Sequence, residues 1–290
     1  MILHTSKCFA DFLFLKPFFM PTQAPPNALL YASFIEEAYS VYENNPNDIN
    51  PSLAAYGDFL NGYTLMYNLQ MKDFFIDEKP YAYYGFIARN IATNEVIVAI
   101  RGTADATEWW DDFHFSLIPF YQGWGKVEEG FYDIYKTLKL VVPSTGESVM
   151  LLSDTITNDS WLQGTPAATL TITGHSLGAS LATLYAASWA YNSPTPLQNT
   201  AIYTYASPKV GDSSFADQYN HFVTTGYRIY NKPDIVPHFP LNPLYEAVGT
   251  GYEVDSWNKA ARSIPCFHAL TTYMYMLGAN ASILGKCALS

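Results

Sequence analysis

The sequence predicts an α/β fold, a sheet covered by helices on both faces. Two observations carry this. Short β-rich runs alternate with helical runs along most of the chain. One of those runs, Thr171-Ile172-Thr173, passes through Gly174-His175-Ser176-Leu177-Gly178 straight into a small-residue helix. The composition is globular: 290 residues, 49% hydrophobic and 14% charged, enough for a full apolar core.

Residues 1–27 read as an extension and linker, and 28–290 as a single domain. Residues 8–20 (CFADFLFLKPFFM) are aromatic-rich but interrupted by Asp11, Lys16 and Pro17. They match neither the unbroken apolar run of a signal peptide nor a membrane span. They read as an upstream extension, or as an apolar arm that packs on the core or on lipid. Residues 28–43 carry apolar groups at helical spacing, ended by the Asn, Pro and Asp of 44–50. Residues 81–89 and 95–100 read as strands joined in a hairpin by 90–94. A helix is expected over 127–142, with Phe131, Ile134, Tyr135, Leu138 and Val142 on one face. The Ser-, Thr-, Gly- and Pro-rich stretch 143–168 reads as a surface excursion. A strand over 169–173 and a helix over 176–191 follow. Then come a strand at 201–206, a helix near 213–222, a strand at 226–230 and a last helix from about 269 to 278.

Ser176 has two readings. Serine is a good helix N-cap. It is also the centre of a G-x-S-x-G pattern, which places a nucleophile on a turn tight enough to require small neighbours. A serine hydroxyl is a weak nucleophile and needs a base, and the base needs an orienting carboxylate. The pattern sets the chain order Ser, Asp, His. Asp212, Asp217, Asp234 and Asp255 lie downstream. Asp234 follows the strand Gly226–Tyr230, where an α/β sheet places its site, and Pro233 and Pro237 stiffen its loop. Asp212 reads as a cap of the next helix. Among the histidines, His221 falls in a predicted helix and His238 only four positions after Asp234. His268, just before the last helix, is the favoured base. The oxyanion hole needs a backbone N–H after the nucleophile, that of Leu177, and a donor from an early loop. Strand 95–100 ends in Arg101-Gly102-Thr103, and Thr103 offers an N–H and a hydroxyl. The following stretch carries Trp109 and Trp110 beside acids. Adjacent tryptophans point to different sides of a helix, which suits a lid with an apolar side.

The formal net charge of −11 gives nothing to phosphate neutralisation, so a nucleic-acid partner is not expected. Cys8, Cys266 and Cys287 are an odd set. Cys266 and Cys287 could pair in an oxidising compartment, or all three could stay reduced. None has a metal-ligand spacing, and neither a metal nor a cofactor is expected.

Together these residues resemble the class 3 lipases, the fungal-type triacylglycerol lipase family. GHSLG at 174–178 resembles the family's nucleophile turn, and YASPKVGDSSFA at 205–216 its YGAPRVGNxxFA stretch. YRIYNKPDIVPHFP at 227–240 resembles YRxxxxxDxVPxxP, and AIRGT at 99–103 its RG[ST] motif. The resemblance covers most of 28–289. It implies an α/β-hydrolase fold with a mostly parallel central sheet and a short lid over 104–115. It implies a catalytic Ser176, Asp234 and His268, an oxyanion hole at Thr103 and Leu177, and Asp112 of the W-x-x-D pattern orienting the Thr103 hydroxyl. It implies hydrolysis of acyl glycerols at a lipid–water interface, with phospholipase A1 or feruloyl-type or short-chain esterase activity as alternatives. A non-catalytic interaction module on the same fold is the alternative of another class. The resemblance favours a secreted protein, while the N-terminus, which matches no signal peptide, leaves a cytoplasmic one open. The chain departs from the family in several places: Glu128-Glu129-Gly130-Phe131 stands where the family has HxGF, helix 28–43 lacks the cysteine that the family bonds to its C-terminal tail, 143–168 is longer than the family's usual connection, and the His268 region matches by position and its following aromatic helix, not by a strict motif.

Overall fold

The computed structural model describes residues 23–72, 81–103 and 115–289. In chain order the strands are β1 (Tyr63–Met71), β2 (Ala82–Asn90), β3 (Glu95–Ile100), β4 (Leu117–Pro119), β5 (Lys126–Glu128), β6 (Lys139–Val141) and β7 (Ser148–Leu151). They continue as β8 (Thr169–His175), β9 (Thr200–Tyr205), β10 (Gly211–Asp212), β11 (Gly226–Asn231), β12 (Tyr245–Glu246) and β13 (Thr250–Val254). The α-helices are α1 (Ala28–Asn44), α2 (Glu129–Tyr135), α3 (Leu177–Tyr191), α4 (Ser213–Phe222), α5 (Ile264–His268) and α6 (Leu270–Met276).

Among the described residues the main sheet runs β13-β11-β9-β8-β3-β2-β1-β6-β7. From β13 to β3 every neighbour is parallel, and from β3 to β7 every neighbour is antiparallel. Strand β3 explains why helices cover both faces. Its side chains alternate: Val96, Val98 and Ile100 enter one core layer, Ile97 and Ala99 the other. Both sets are apolar, so neither face tolerates water. The first layer packs under α2, α3 and α4, the second under α1 and α6. A small second sheet, β12-β10-β5-β4, lies apart from the main one.

Helix α3 lies flush with the sheet, and the glycines of the pentapeptide make that possible. A Cβ on Gly178 would sit 2.3 Å from the Ile100 carbonyl oxygen, and one on Gly174 2.3 Å from that of Gly178. No side chain fits at either position.

Two expected elements differ. The helix expected over 127–142 is only seven residues, α2, between β5 and β6. The Glu128 carboxylate caps its N-terminus, accepting N–H groups from Gly130 at 3.0 Å and Phe131 at 2.6 Å. Lys139–Val141 instead pairs with β1, so its apolar residues follow a sheet period. The expected surface excursion 143–168 also contributes to the core. It holds β7 and two 3-10 turns, and buries Leu152 and Trp161 completely. The C-terminus is fastened by a Cys266–Cys287 disulfide, which ties α5 to the tail.

Candidate active site

Ser176 stands between the last residue of β8 and the first of α3. Its backbone has a positive φ, 56°, with ψ −124°, a region that costs a non-glycine residue energy. Its side chain makes no capping hydrogen bond to α3. The hydroxyl instead faces His268, with Oγ 2.8 Å from Nε2. The strained turn aims the side chain away from the helix and above the parallel end of the sheet.

His268 ends α5, whose N-terminus Ser263 caps. Its Nδ1 lies 2.9 Å from Asp234 Oδ2. A carboxylate only accepts, so Nδ1 carries the proton and Nε2 presents its lone pair to Ser176. Asp234 sits just past β11 and is itself held: the Tyr273 hydroxyl donates to Oδ2 at 2.7 Å, and the Val236 N–H to Oδ1 at 3.0 Å. Burial first, and the Asp234 charge second, push the Tyr273 phenol far above its ordinary range, so it remains a donor. Ser176, Asp234 and His268 are all at least 96% buried. The line Oγ–imidazole–carboxylate can withdraw a proton from Oγ and hold the resulting imidazolium beside a fixed charge.

The oxyanion candidates meet at the same edge. β3 and β8 are parallel neighbours with Ile100 opposite Gly174, so Thr103 and Leu177 leave the sheet side by side. A Cβ on Gly102 would lie 2.9 Å from Ser176 Cβ, which measures how closely the two turns approach. Thr103 is buried. Leu177 opens a 15-residue helix, whose first N–H groups have no intrahelical acceptor and whose dipole favours negative charge. A cavity of about 360 Å³ adjoins Thr103 and His268.

The remaining candidates separate from this cluster. Asp212 caps α4 through the Phe215 N–H at 2.9 Å. Asp217, Asp255, His221 and His238 are solvent-exposed. Asp112, Trp109 and Trp110, with all of the expected lid except Phe115, lie outside the described residues. Among the described residues no cluster of ligating side chains could hold a metal ion. No helix there is long and apolar enough to cross a membrane.

Sequence reasoning missed the residues that brace the site. Asn231 ends β11. Its amide donates to the Phe267 carbonyl at 2.8 Å and to Ser256 Oγ at 2.7 Å, while its Oδ1 accepts the Ser256 N–H at 3.0 Å. It thereby fixes the loop before His268 to the strand before Asp234. Tyr273 was legible only as part of an aromatic helix. His175 lies within the G-x-S-x-G pentapeptide, whose pattern leaves that position unspecified.

The family model for Lipase (class 3) matches residues 97–243, the stretch from β3 to beyond Asp234. A phospholipase A1-II 3 of Oryza sativa subsp. indica is 31% identical over 213 residues, covering 65% of this chain and 50% of its own. Phospholipase A1-IIgamma of Arabidopsis thaliana is 28% identical, covering 64% and 48%. The chain thus spans about half the length of the curated relatives it matches. Among solved structures, a lipase from Rhizopus microsporus var. chinensis superposes with a TM-score of 0.57 at 20% identity, covering 80% of this chain and 76% of that one. The Rhizomucor miehei triacylglyceride lipase superposes at 0.57 and 21% identity, covering 79% of each. These superpositions place the architecture in the α/β-hydrolase fold. The matched stretch contains Thr103, Ser176 and Asp234, and it is half of the chain: the protein belongs to the class 3 lipase family.

Proposed function

We propose that this chain is a serine carboxylester hydrolase that cleaves acyl esters of glycerolipids, with Ser176, His268 and Asp234 as its catalytic residues. The observation that carries the reading is the buried hydrogen-bonded line from Ser176 Oγ through His268 to Asp234, set on a strained strand-to-helix turn. Oγ attacks the ester carbonyl carbon while Nε2 takes its proton. The C=O π electrons move onto oxygen, and the N–H groups of Thr103 and Leu177 with the Thr103 hydroxyl receive that charge. Each such donor contributes about 3 kcal/mol to the transition state. The tetrahedral centre collapses by breaking the ester C–O bond, and the imidazolium returns its proton to the leaving alcohol. Water then attacks the acyl-enzyme by the same route, with His268 as base, and releases the fatty acid.

Triacylglycerol is the first substrate class, by the resemblance of the 99–103, 174–178, 205–216 and 227–240 motifs to the fungal-type triacylglycerol lipases. Phospholipase A1 activity is the second reading, favoured by the names of the relatives at 28–31% identity. The test compares release of fatty acid from emulsified triacylglycerol, from phosphatidylcholine vesicles and from a soluble short-chain ester. Triacylglycerol turnover that rises above the solubility limit of the substrate supports the first reading. Release of the sn-1 acyl chain from vesicles with little triacylglycerol turnover replaces it with the second. Turnover of the soluble ester alone makes the protein an esterase. No turnover of any of the three, in folded protein, contradicts the catalytic reading and leaves the interaction module.

A further inference from the structure

Tyr39 lies near the C-terminal end of α1, an element that carries none of the candidate catalytic residues. Its hydroxyl oxygen is 2.8 Å from Gly102 N and 2.9 Å from His175 Nδ1. His175 Nε2 is in turn 2.8 Å from the carbonyl oxygen of His268. Chemistry fixes every proton in this series. A carbonyl oxygen only accepts, so His175 Nε2 carries the hydrogen. Burial first, and the neighbouring His268 second, hold the His175 imidazole well below its ordinary titration range, so the ring is neutral and Nδ1 is bare. The Tyr39 O–H therefore donates to Nδ1, and its oxygen accepts the Gly102 N–H. Each bond has one possible sense, from the strand before Thr103 to the backbone of the base.

The other side of Gly102 is held as firmly. Arg101 is buried, its guanidinium 3.7 Å and 4.1 Å from the ring centroids of Tyr42 and Tyr84. Two of its nitrogens donate to the Tyr83 carbonyl, at 3.0 Å and 2.7 Å, and Nη1 donates to the Gly102 carbonyl at 2.6 Å. In a trans peptide the C=O and the next N–H point in opposite directions. Fixing the Gly102 carbonyl toward Arg101 therefore turns the Thr103 N–H away from it. Gly102 itself packs against Ser176, with no room for a Cβ between them.

We infer that Tyr39 and Arg101 are positioning residues, and that Tyr39, acting through His175, holds the oxyanion strand and the catalytic histidine in one register around Ser176. The inference rests on the catalytic reading above. A phenol suits the task because one oxygen both donates and accepts, and so links Gly102 to His175 just beyond the last β3–β8 pair, Ile100 opposite Gly174. Neither tyrosine nor arginine touches the reacting atoms. Their contribution is geometric, and a misplacement of even 1 Å in such a site costs on the order of 100-fold in rate.

The test uses the full chain and a soluble short-chain ester, with kcat, KM and the unfolding midpoint measured for Tyr39→Phe, His175→Asn and the double variant. Ser176→Ala is run beside them. Each single variant is expected to lose about 10- to 100-fold in kcat with KM within about twofold, because binding is untouched while the transition state loses its aligned donors. The double variant is expected to be no slower than the worse single one, since both break the same series. A Tyr39→Phe kcat within about threefold of wild type, a loss confined to KM, or losses that multiply in the double variant would each overturn the inference. A Tyr39→Phe protein that does not fold overturns it as well, since Tyr39 is then a residue of stability alone. Should only His175→Asn fail to fold, the kcat of Tyr39→Phe decides. Full activity in Ser176→Ala overturns the catalytic reading itself. An inactive Ser176→Ala beside an unimpaired Tyr39→Phe overturns the positioning role alone.

Discussion

Asp234 accepts hydrogen from three groups at once: His268 Nδ1, the Tyr273 hydroxyl and the Val236 N–H. Both of its oxygens therefore keep partners although the residue is 99% buried. Its charge keeps the His268 proton on Nδ1 and thus keeps Nε2 free for Ser176. Asp234→Asn removes the charge but keeps the shape. The asparagine amide donates to Nδ1, the imidazole proton moves to Nε2, and the base is lost. The expected result is a fall in kcat of about 10⁴-fold with the fold intact. A fall of less than about tenfold, measured on a soluble ester, would mean that Asp234 does not orient the base.

At the scale of elements, α2 offers a pH test. Its cap, Glu128, is fully buried. Burial pushes the carboxyl up to about 7 from its ordinary 4.5, against the opposing N–H groups of Phe131, Gly130 and Ser116. The folded chain therefore holds a proton that the unfolded chain releases. The resulting stability is complete below about 4.5 and is lost as the pH rises through about 7. Glu36 on α1 is pushed up to about 7 as well, by burial and then by Glu43 and Glu37, and adds a slope of the same sign. Glu128→Gln is expected to flatten the fall of the unfolding midpoint between these pH values without abolishing it. An unchanged slope would show that Glu128 does not hold the proton.

Elements differed in how far the sequence displayed them. The β2–β3 hairpin was legible because apolar runs flank a polar Asn90–Asn94 turn. α3 was legible because its small residues follow a glycine-bracketed serine. β1 was not, because from Met66 to Met71 both of its faces are buried and no alternation survives. The helix expected over 127–142 failed at its C-terminal half, where Leu138, Leu140 and Val141 suit a helix face and a short strand equally. Pairing with β1 decided the matter, and no local signal could. In the candidate site, Ser176, Asp234 and His268 could be picked out by type, spacing and order, and the structure brings them within hydrogen-bond distance of one another. The residues that hold them were not. Tyr39, Asn231 and Tyr273 act across the fold, and their partners are 63, 36 and 39 positions away in the chain.

The whole molecule is a sheet whose parallel half carries the candidate site. Ser176, Thr103 and Asp234 leave the same ends of β8, β3 and β11, and the final turns bring His268 back to them. The disulfide and the Asn231 bonds fix that return. The net charge of −11 would repel an anionic membrane, so under the proposed function neutral oil or zwitterionic lipid is the expected surface. The proposed mechanism stands or falls on Ser176 as a nucleophile activated by His268. Incubation with a fluorophosphonate, digestion and mass spectrometry of the peptides test it most directly. One adduct is expected, on the Ser176 Oγ, formed in the wild type and lost in both Ser176→Ala and His268→Ala. A folded protein that takes up no label, or labels equally well without His268, would contradict it.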